Sequence, residues 1–268
     1  MDIFSIEGVT YRLTKENYIK ATNKIEPYYQ EKGSHFAICP CCGNPVQIIN
    51  LFIENYEERV TGSKKLHARH YPRSVLGVAE YNEEKYNFCE LHNPVAFNLR
   101  RLRNNNERDQ ELKELIEKSK NKIICDKREI VGIYFKKEKI EKVINSFIES
   151  KNYCYTHVNK FNIPYVILYT QNSIDIFGQK LNLNTEIGRI INTSIERRSN
   201  FFEINEDRII RRKGITAFVK IFLMIHNHRV NNNKQYVDLK IFEKYDNNEN
   251  TILEQRIEMK EFIYDEEI

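Results

Sequence analysis

Hydrophobic positions recur at helical spacing most clearly between Lys136 and Lys151, where Ile140, Val143, Ile144, Phe147 and Ile148 fall at i, i+3, i+4, i+7 and i+8. Side chains so spaced share one face, which predicts an amphipathic helix. A second helical pattern runs from Glu107 to Lys120, with Leu112, Leu115 and Ile116 on one side of a charged segment. Strand character is predicted for Ile130 to Phe135, and for Tyr165–Tyr169 and Ser173–Phe177, which Thr170-Gln171-Asn172 joins as a hairpin. Near the end of the chain Val237, Leu239 and Ile241 alternate with Asp238 and Lys240. Asp246-Asn247-Asn248 then turns the chain into Ile252 to Met259, a predicted antiparallel hairpin.

Strands and helices mix here without regular alternation, and no glycine-rich turn of the dinucleotide or phosphate-loop kind is present, so a Rossmann or P-loop architecture has no support. The expected class is α+β. Residues 1–98 lack long periodic stretches and are rich in Tyr, Pro, Gly, Cys and His, as expected of a small module tied by a metal. The predicted organisation is a zinc-ribbon or treble-clef-like module over 1–98, a helical linker over 99–121, and a mixed domain over 122–268 that ends in the antiparallel hairpin.

Composition narrows the function classes. At 268 residues and 41% hydrophobic the chain can fill a real core, and a formal charge of +4 is far from that of a protein that coats nucleic acid. Any nucleic-acid contact must use a local patch. The opening Met1-Asp2-Ile3-Phe4-Ser5-Ile6-Glu7 has no signal-peptide pattern, and the apolar run Ile215–Ile225 is broken by Lys220 and too short for a bilayer. A cytosolic protein with no membrane partner is expected. In that reducing compartment six cysteines read as metal ligands or packing rather than disulfides. Heavy use of Lys, Asn and Ile, with triplets at Asn104–Asn106 and Asn231–Asn233, matches an AT-rich coding sequence of a bacterium or its mobile elements.

Cys39-Pro40-Cys41-Cys42-Gly43 places two thiols at Cys-x-x-Cys spacing on a tight turn, the pattern of a structural Zn²⁺ knuckle. Cys89-Glu90-Leu91-His92 forms a second candidate turn, and both continue into Asn-Pro, at Asn44-Pro45 and Asn93-Pro94. Two such turns facing one ion would supply Cys39, Cys42, Cys89 and His92. His67-Ala68-Arg69-His70 competes, through His70 as the fourth ligand or through His67 and His70 together. Cys41, Cys125 and Cys154 read as packing residues.

Phe36-Ala37-Ile38-Cys39-Pro40-Cys41-Cys42-Gly43 followed by His67-Ala68-Arg69-His70 resembles the N-terminal zinc-ribbon region of the competence CoiA-like proteins. That resemblance implies an association with DNA uptake and a restriction-endonuclease-like domain downstream. Such a site needs an Asp roughly ten to thirty residues before an acidic-x-Lys, so that carboxylates hold Mg²⁺. Asp246 with Glu258-Met259-Lys260 has the spacing, beside the acidic end Asp265-Glu266-Glu267. His226-Asn227-His228 spells a nuclease name without that family's widely spaced residues.

Arg59, Lys64, Lys65, Arg69 and Arg73 form a run free of acidic residues, suited to phosphate. Arg100, Arg101 and Arg103 form a second basic cluster, and Arg208, Arg211, Arg212 and Lys213 a third. The sequence therefore points to a cytosolic zinc-stabilised nucleic-acid-binding protein of a bacterial competence or phage-defence (antiviral) system, with Lys64, Lys65, Arg69 and Arg73 on phosphate. The alternatives are a metal-dependent nuclease and an adaptor that docks a protein partner. A hydrolytic zinc site at His67 and His70 would need an open coordination position.

Overall fold

The computed structural model describes residues 1–30, 33–52 and 65–264. The chain divides into two units, residues 1–95 and residues 96–264, with the last four residues outside the described set. Each unit has its own buried hydrophobic cluster. Among the described residues there are seven α-helices, and the strand ladders are antiparallel. No helix among them is long and apolar enough to cross a membrane.

The first unit is built on a five-stranded sheet. Its strands are β1 (Ile3–Ile6), β2 (Val9–Arg12), β3 (His35–Ile38), β4 (Pro45–Ile49) and β5 (His67–His70), in the order β2-β1-β3-β4-β5. Glu7 and Gly8, both at positive φ, close the β1–β2 hairpin in the turn geometry that matches strand twist. Helix α1 (Lys15–Thr22) starts at Thr14, whose hydroxyl accepts the Asn17 N–H at 3.1 Å. It buries Tyr18, whose hydroxyl lies 2.7 Å from the Tyr28 carbonyl and 2.8 Å from that of Phe36. Strand β5 also meets Met1: the Ala68 N–H donates to the Met1 carbonyl at 3.0 Å. A short helix, α2 (Glu83–Asn87), comes next.

The second unit opens with α3 (Asn106–Lys118) and α4 (Lys120–Val131) and continues through β6 (Ile133–Tyr134), α5 (Lys137–Glu149), α6 (Ile163–Tyr169), β7 (Ile174–Asp175) and β8 (Lys180–Leu181). Helix α7 (Glu186–Arg198) leads into β9 (Phe202–Asn205) and β10 (Arg208–Arg211). The long meander β11 (Val219–Asn231), β12 (Lys234–Tyr245) and β13 (Asn248–Glu258) ends the unit. Two four-stranded sheets result, β6-β8-β10-β9 and β13-β12-β11-β7. Gly132 ends α4 at φ 63°, and a Cβ there would sit 2.5 Å from the Gly188 nitrogen, so both the backbone conformation and the approach of α7 demand glycine. Leu112 and Ile116 of α3 lie in this unit's core, as does Lys127 of α4, which is fully buried and whose Nζ has no hydrogen-bond partner.

The helix expected over Lys136–Lys151 and the C-terminal hairpin are both present, and Asp246 takes the left-handed conformation in the turn between β12 and β13. Two expectations are corrected. The strand over Ile130–Phe135 shrinks to Ile133–Tyr134, because Ile130 and Val131 extend the buried face that Ile123, Ile124 and Lys127 begin on α4. Tyr165–Tyr169 is helix, not strand, so the hairpin with Ser173–Phe177 does not form, and Ile174–Asp175 pairs with β11 instead. Pro164 occupies the first turn of α6, and residues 163–168 are all buried. A run buried on every side carries no periodicity with which to separate the two conformations.

Candidate metal centre

Strand β3 ends at Ile38, and the chain turns back through residues 39–44 into β4. The Cys39 N–H donates to the Asn44 carbonyl at 2.8 Å and the Gly43 N–H to the Cys39 carbonyl at 2.9 Å, with Gly43 at φ 74°. This tight turn aims Cys39 and Cys42 to one side. The β4–β5 register pairs Val46 with His70, which brings the end of β5 beside the turn. Side chains alternate along a strand, so His70 shares the face of buried Ala68, whereas His67 and exposed Arg69 face the other way. His67 accordingly meets the Lys65 carbonyl, at 2.8 Å through Nδ1.

Cys89 arrives from a different direction. Asn82 caps α2 by accepting the Lys85 N–H at 2.8 Å, and Cys89 lies just past the helix end, its N–H donating to the Tyr86 carbonyl at 3.1 Å. The Asn93 N–H donates to the Cys89 carbonyl at 2.8 Å, the same closure that Gly43 makes to Cys39. The echo between the two turns is therefore real in the backbone. It does not extend to the ligands: His92 stacks on Tyr86 with ring centroids 4.0 Å apart.

Four donor atoms converge: the sulfurs of Cys39, Cys42 and Cys89 and a ring nitrogen of His70, all within 4.8 Å of one another. Cys39 Sγ lies 3.7 Å from Cys89 Sγ, and His70 Nε2 lies 3.4 Å from Cys42 Sγ and 3.6 Å from Cys89 Sγ. An ion about 2.3 Å from thiolate sulfur and about 2.0–2.1 Å from imidazole nitrogen, bound tetrahedrally, requires S···S edges of about 3.8 Å and S···N edges of about 3.6 Å. These three edges are close to those lengths, the others lie within 4.8 Å, and the cluster could hold a metal ion. The fourth position goes to His70 rather than to His92, whose ring centroid lies 5.4 Å from that of His70.

The charge state of the sulfurs bears on what the cluster could hold. Cys39 and Cys89 are 1% exposed. Cys42 is the sulfur that ionises first, its thiol held far below the usual range by hydrogen bonds from Cys39 and Cys89. The proton demand falls on its neighbours. Hydrogen bonding to Cys42 pushes Cys39 up to about 12, and Cys89 rises further through its bonds to Cys39, Cys41 and Cys42. Cys39 and Cys89 could ionise beside Cys42 only with a cation to offset the charge, and a bound metal would supply it.

The surrounding shell adds one residue that sequence reasoning missed. Asn44, almost fully buried, donates through Nδ2 to Cys42 Sγ at 3.4 Å and to the Asn82 carbonyl at 3.0 Å, and accepts the Asn82 N–H at 2.6 Å. It therefore ties the first turn to the helix that leads to Cys89. Cys41 packs against the first unit's buried cluster, as its sequence reading expects, and its thiol is held below the usual range by Cys89 first and then by the backbone N–H groups of Glu90 and Leu91. The recurrent Asn-Pro is the only sequence signal for Asn44.

The other candidates do not assemble. Of the basic run, Lys65, Arg69 and Arg73 are exposed around β5, with Arg69 donating to Gln47 Oε1 at 3.2 Å, while Arg59 and Lys64 lie outside the described residues. Arg103 is a structural residue: it holds Asp109 at 2.6 Å and the carbonyls of Tyr153, Tyr155 and Val158. In the third cluster Arg212 pairs with Glu203 at 3.5 Å. Asp246 and Glu258 flank opposite ends of an eleven-residue strand, β13, which at about 3.4 Å per residue separates them by roughly 35 Å. They cannot share one Mg²⁺, and Glu258 is bound to Lys234 at 2.7 Å. Asp265, Glu266 and Glu267 lie outside the described residues. His226-Asn227-His228 is a β-bulge in β11: Asn227 donates to Asp238 at 3.2 Å, and the His228 ring stacks on Phe97 at 3.7 Å.

Comparison of the chain with protein-family models, with curated proteins and with solved structures returned no match.

Proposed function

We propose that the first unit is a zinc-stabilised nucleic-acid-binding module in which Cys39, Cys42, His70 and Cys89 hold one structural Zn²⁺ and Lys65, Arg69 and Arg73 meet phosphate. The observation that carries the metal reading is the convergence of three sulfurs and one imidazole nitrogen, with three of their separations close to the edges of a zinc tetrahedron. Four protein ligands leave no position for water or substrate, so the ion organises the fold rather than reacts. Phosphate binding is supported by continuity along the chain: the strand that ends in His70 carries exposed Arg69, with exposed Lys65 and Arg73 on either side. The resemblance to the competence CoiA-like proteins favours the same class of partner.

Two measurements test the proposal. Elemental analysis of protein purified without a metal-affinity tag should give one zinc per chain. Fluorescence anisotropy with labelled nucleic acid should show binding that weakens with salt, and replacing Lys65, Arg69 and Arg73 together by Ala should flatten the log K against log salt slope by about two to three units. Full metal occupancy with salt-insensitive or absent nucleic-acid binding would leave the zinc and remove the phosphate role, in favour of a protein partner.

A further inference from the structure

We infer that the second unit carries a separate platform for single-stranded nucleic acid on the solvent face of the β6-β8-β10-β9 sheet. The register sets Tyr134 opposite Lys180, and Lys180 opposite Arg208, so these three side chains form one row across β6, β8 and β10. The neighbouring positions Ile133, Leu181 and Ile209 point to the other face and are buried in the core, which leaves the Tyr134 row facing water.

Tyr134 is 41% exposed although the guanidinium of Arg128 lies 5.9 Å from its ring centroid. An exposed ring in a sheet face, flanked by exposed Lys180 and by half-buried Arg128 and Arg208, which also donate to the Phe135 and Gly178 carbonyls, offers two contacts together: a flat surface for a base, and cations for the phosphates beside it. The nearby acidic groups do not break the row. Glu203 is held by Arg212 at 3.5 Å, and Glu206 and Asp207 lie in the β9–β10 turn, beyond Arg208. A duplex keeps its bases stacked inside and has none to lay on such a ring, whereas a single strand does.

This inference rests on the proposed function only for the class of partner, because it uses a different unit and different residues. The test is anisotropy with the metal-loaded full chain against labelled oligo(dT), oligo(U) and a duplex of the same length. Tyr134→Ala should weaken binding to at least one of the single strands by roughly 5- to 100-fold. Tyr134→Phe should retain it, and duplex binding should not change in either variant. An unchanged thermal midpoint is expected for both, since the ring is at the surface. Wild-type affinity of Tyr134→Ala for both single strands overturns the platform. If the Lys65, Arg69, Arg73 variant alone loses affinity, the first-unit reading stands and the platform falls; absence of binding to any of the probes removes both.

Discussion

Asn44 and Asn82 hold each other reciprocally: the Asn44 amide donates to the Asn82 carbonyl at 3.0 Å and accepts the Asn82 N–H at 2.6 Å. One side chain thereby joins the turn that carries Cys39 and Cys42 to the cap of the helix that leads to Cys89. Asn44→Ala would leave the Asn82 N–H unpaired and Cys42 without its donor, while the Asn82 carbonyl keeps the Tyr86 N–H at 3.0 Å. Metal affinity should fall about 10- to 100-fold, as for other outer-shell partners, measured by competition with a chromophoric chelator. An unchanged affinity would show that the ligands orient themselves.

The two nearby histidines separate cleanly. His70→Ala should lose the metal or bind it far more weakly, while His70→Cys should keep one ion per chain, since thiolate also suits zinc. His92→Ala should retain full stoichiometry, because that ring packs on Tyr86 and supplies no donor to the cluster. Elemental analysis of the three variants decides the point.

Chelation should melt the first unit and spare the second. Cys39 and Cys89 belong to the first unit's own buried cluster, so the ion's binding free energy is largely folding free energy there. Calorimetry with and without a strong chelator should show one transition lost or lowered by ten degrees or more and the other unmoved, with a loss of each ~1 kcal/mol lowering a domain of this size by about 4–8 °C. A single transition that shifts as a whole would contradict separate melting.

Acid should destabilise the second unit before its carboxylates titrate. His157 and His228 are both pushed down to about 4, chiefly by burial, with His157 lowered further by His228. Each ring accepts a backbone N–H on Nδ1, from Asn98 at 3.3 Å and from Phe97 at 3.1 Å, so protonation there also breaks a hydrogen bond. The folded values lie below the unfolded one near 6.5, hence the unfolded chain binds more protons between them. The contribution to stability is complete above about pH 6.5 and is lost as pH falls toward 4. The thermal midpoint of the second unit should drop across pH 6.5 to 5, and less so in His228→Gln.

Lys127 is fully buried with no partner for Nζ, and burial holds its amine well below its ordinary value. Lys127→Met keeps the length of the chain and removes the desolvated nitrogen. The second unit should gain on the order of 1–2 kcal/mol, read as a higher denaturant midpoint at unchanged slope. A loss of stability would mean that the amine is satisfied in solution.

What the sequence discloses depends on how local the determinant is. Cys39, Cys42 and Cys89 are legible from spacing and turn residues alone, and the helix over Ile140–Ile148 from its periodicity. The choice of His70 over His92 is not, because it depends on the pairing of Val46 with His70 across two strands that are distant in sequence. His67 stands three positions from His70, which on a strand means the opposite face; the same spacing brings Cys39 and Cys42 together because they lie on a turn. Tyr165–Tyr169 misleads for a related reason: β-branched and aromatic residues favour strand locally, and enclosure by the core overrides that preference. The separation of Asp246 from Glu258 is evident once both flank one extended strand, a fact that spacing alone conceals.

The donors Cys39, Cys42, His70 and Cys89 all precede residue 96, where the second unit begins. A chain made from its N-terminus therefore presents the complete ligand set while the ribosome is still translating the second unit. If the site holds the proposed ion, loading can take place during synthesis, and scarcity of that ion would act on the nascent chain, at the stage when chaperones and proteases first meet it.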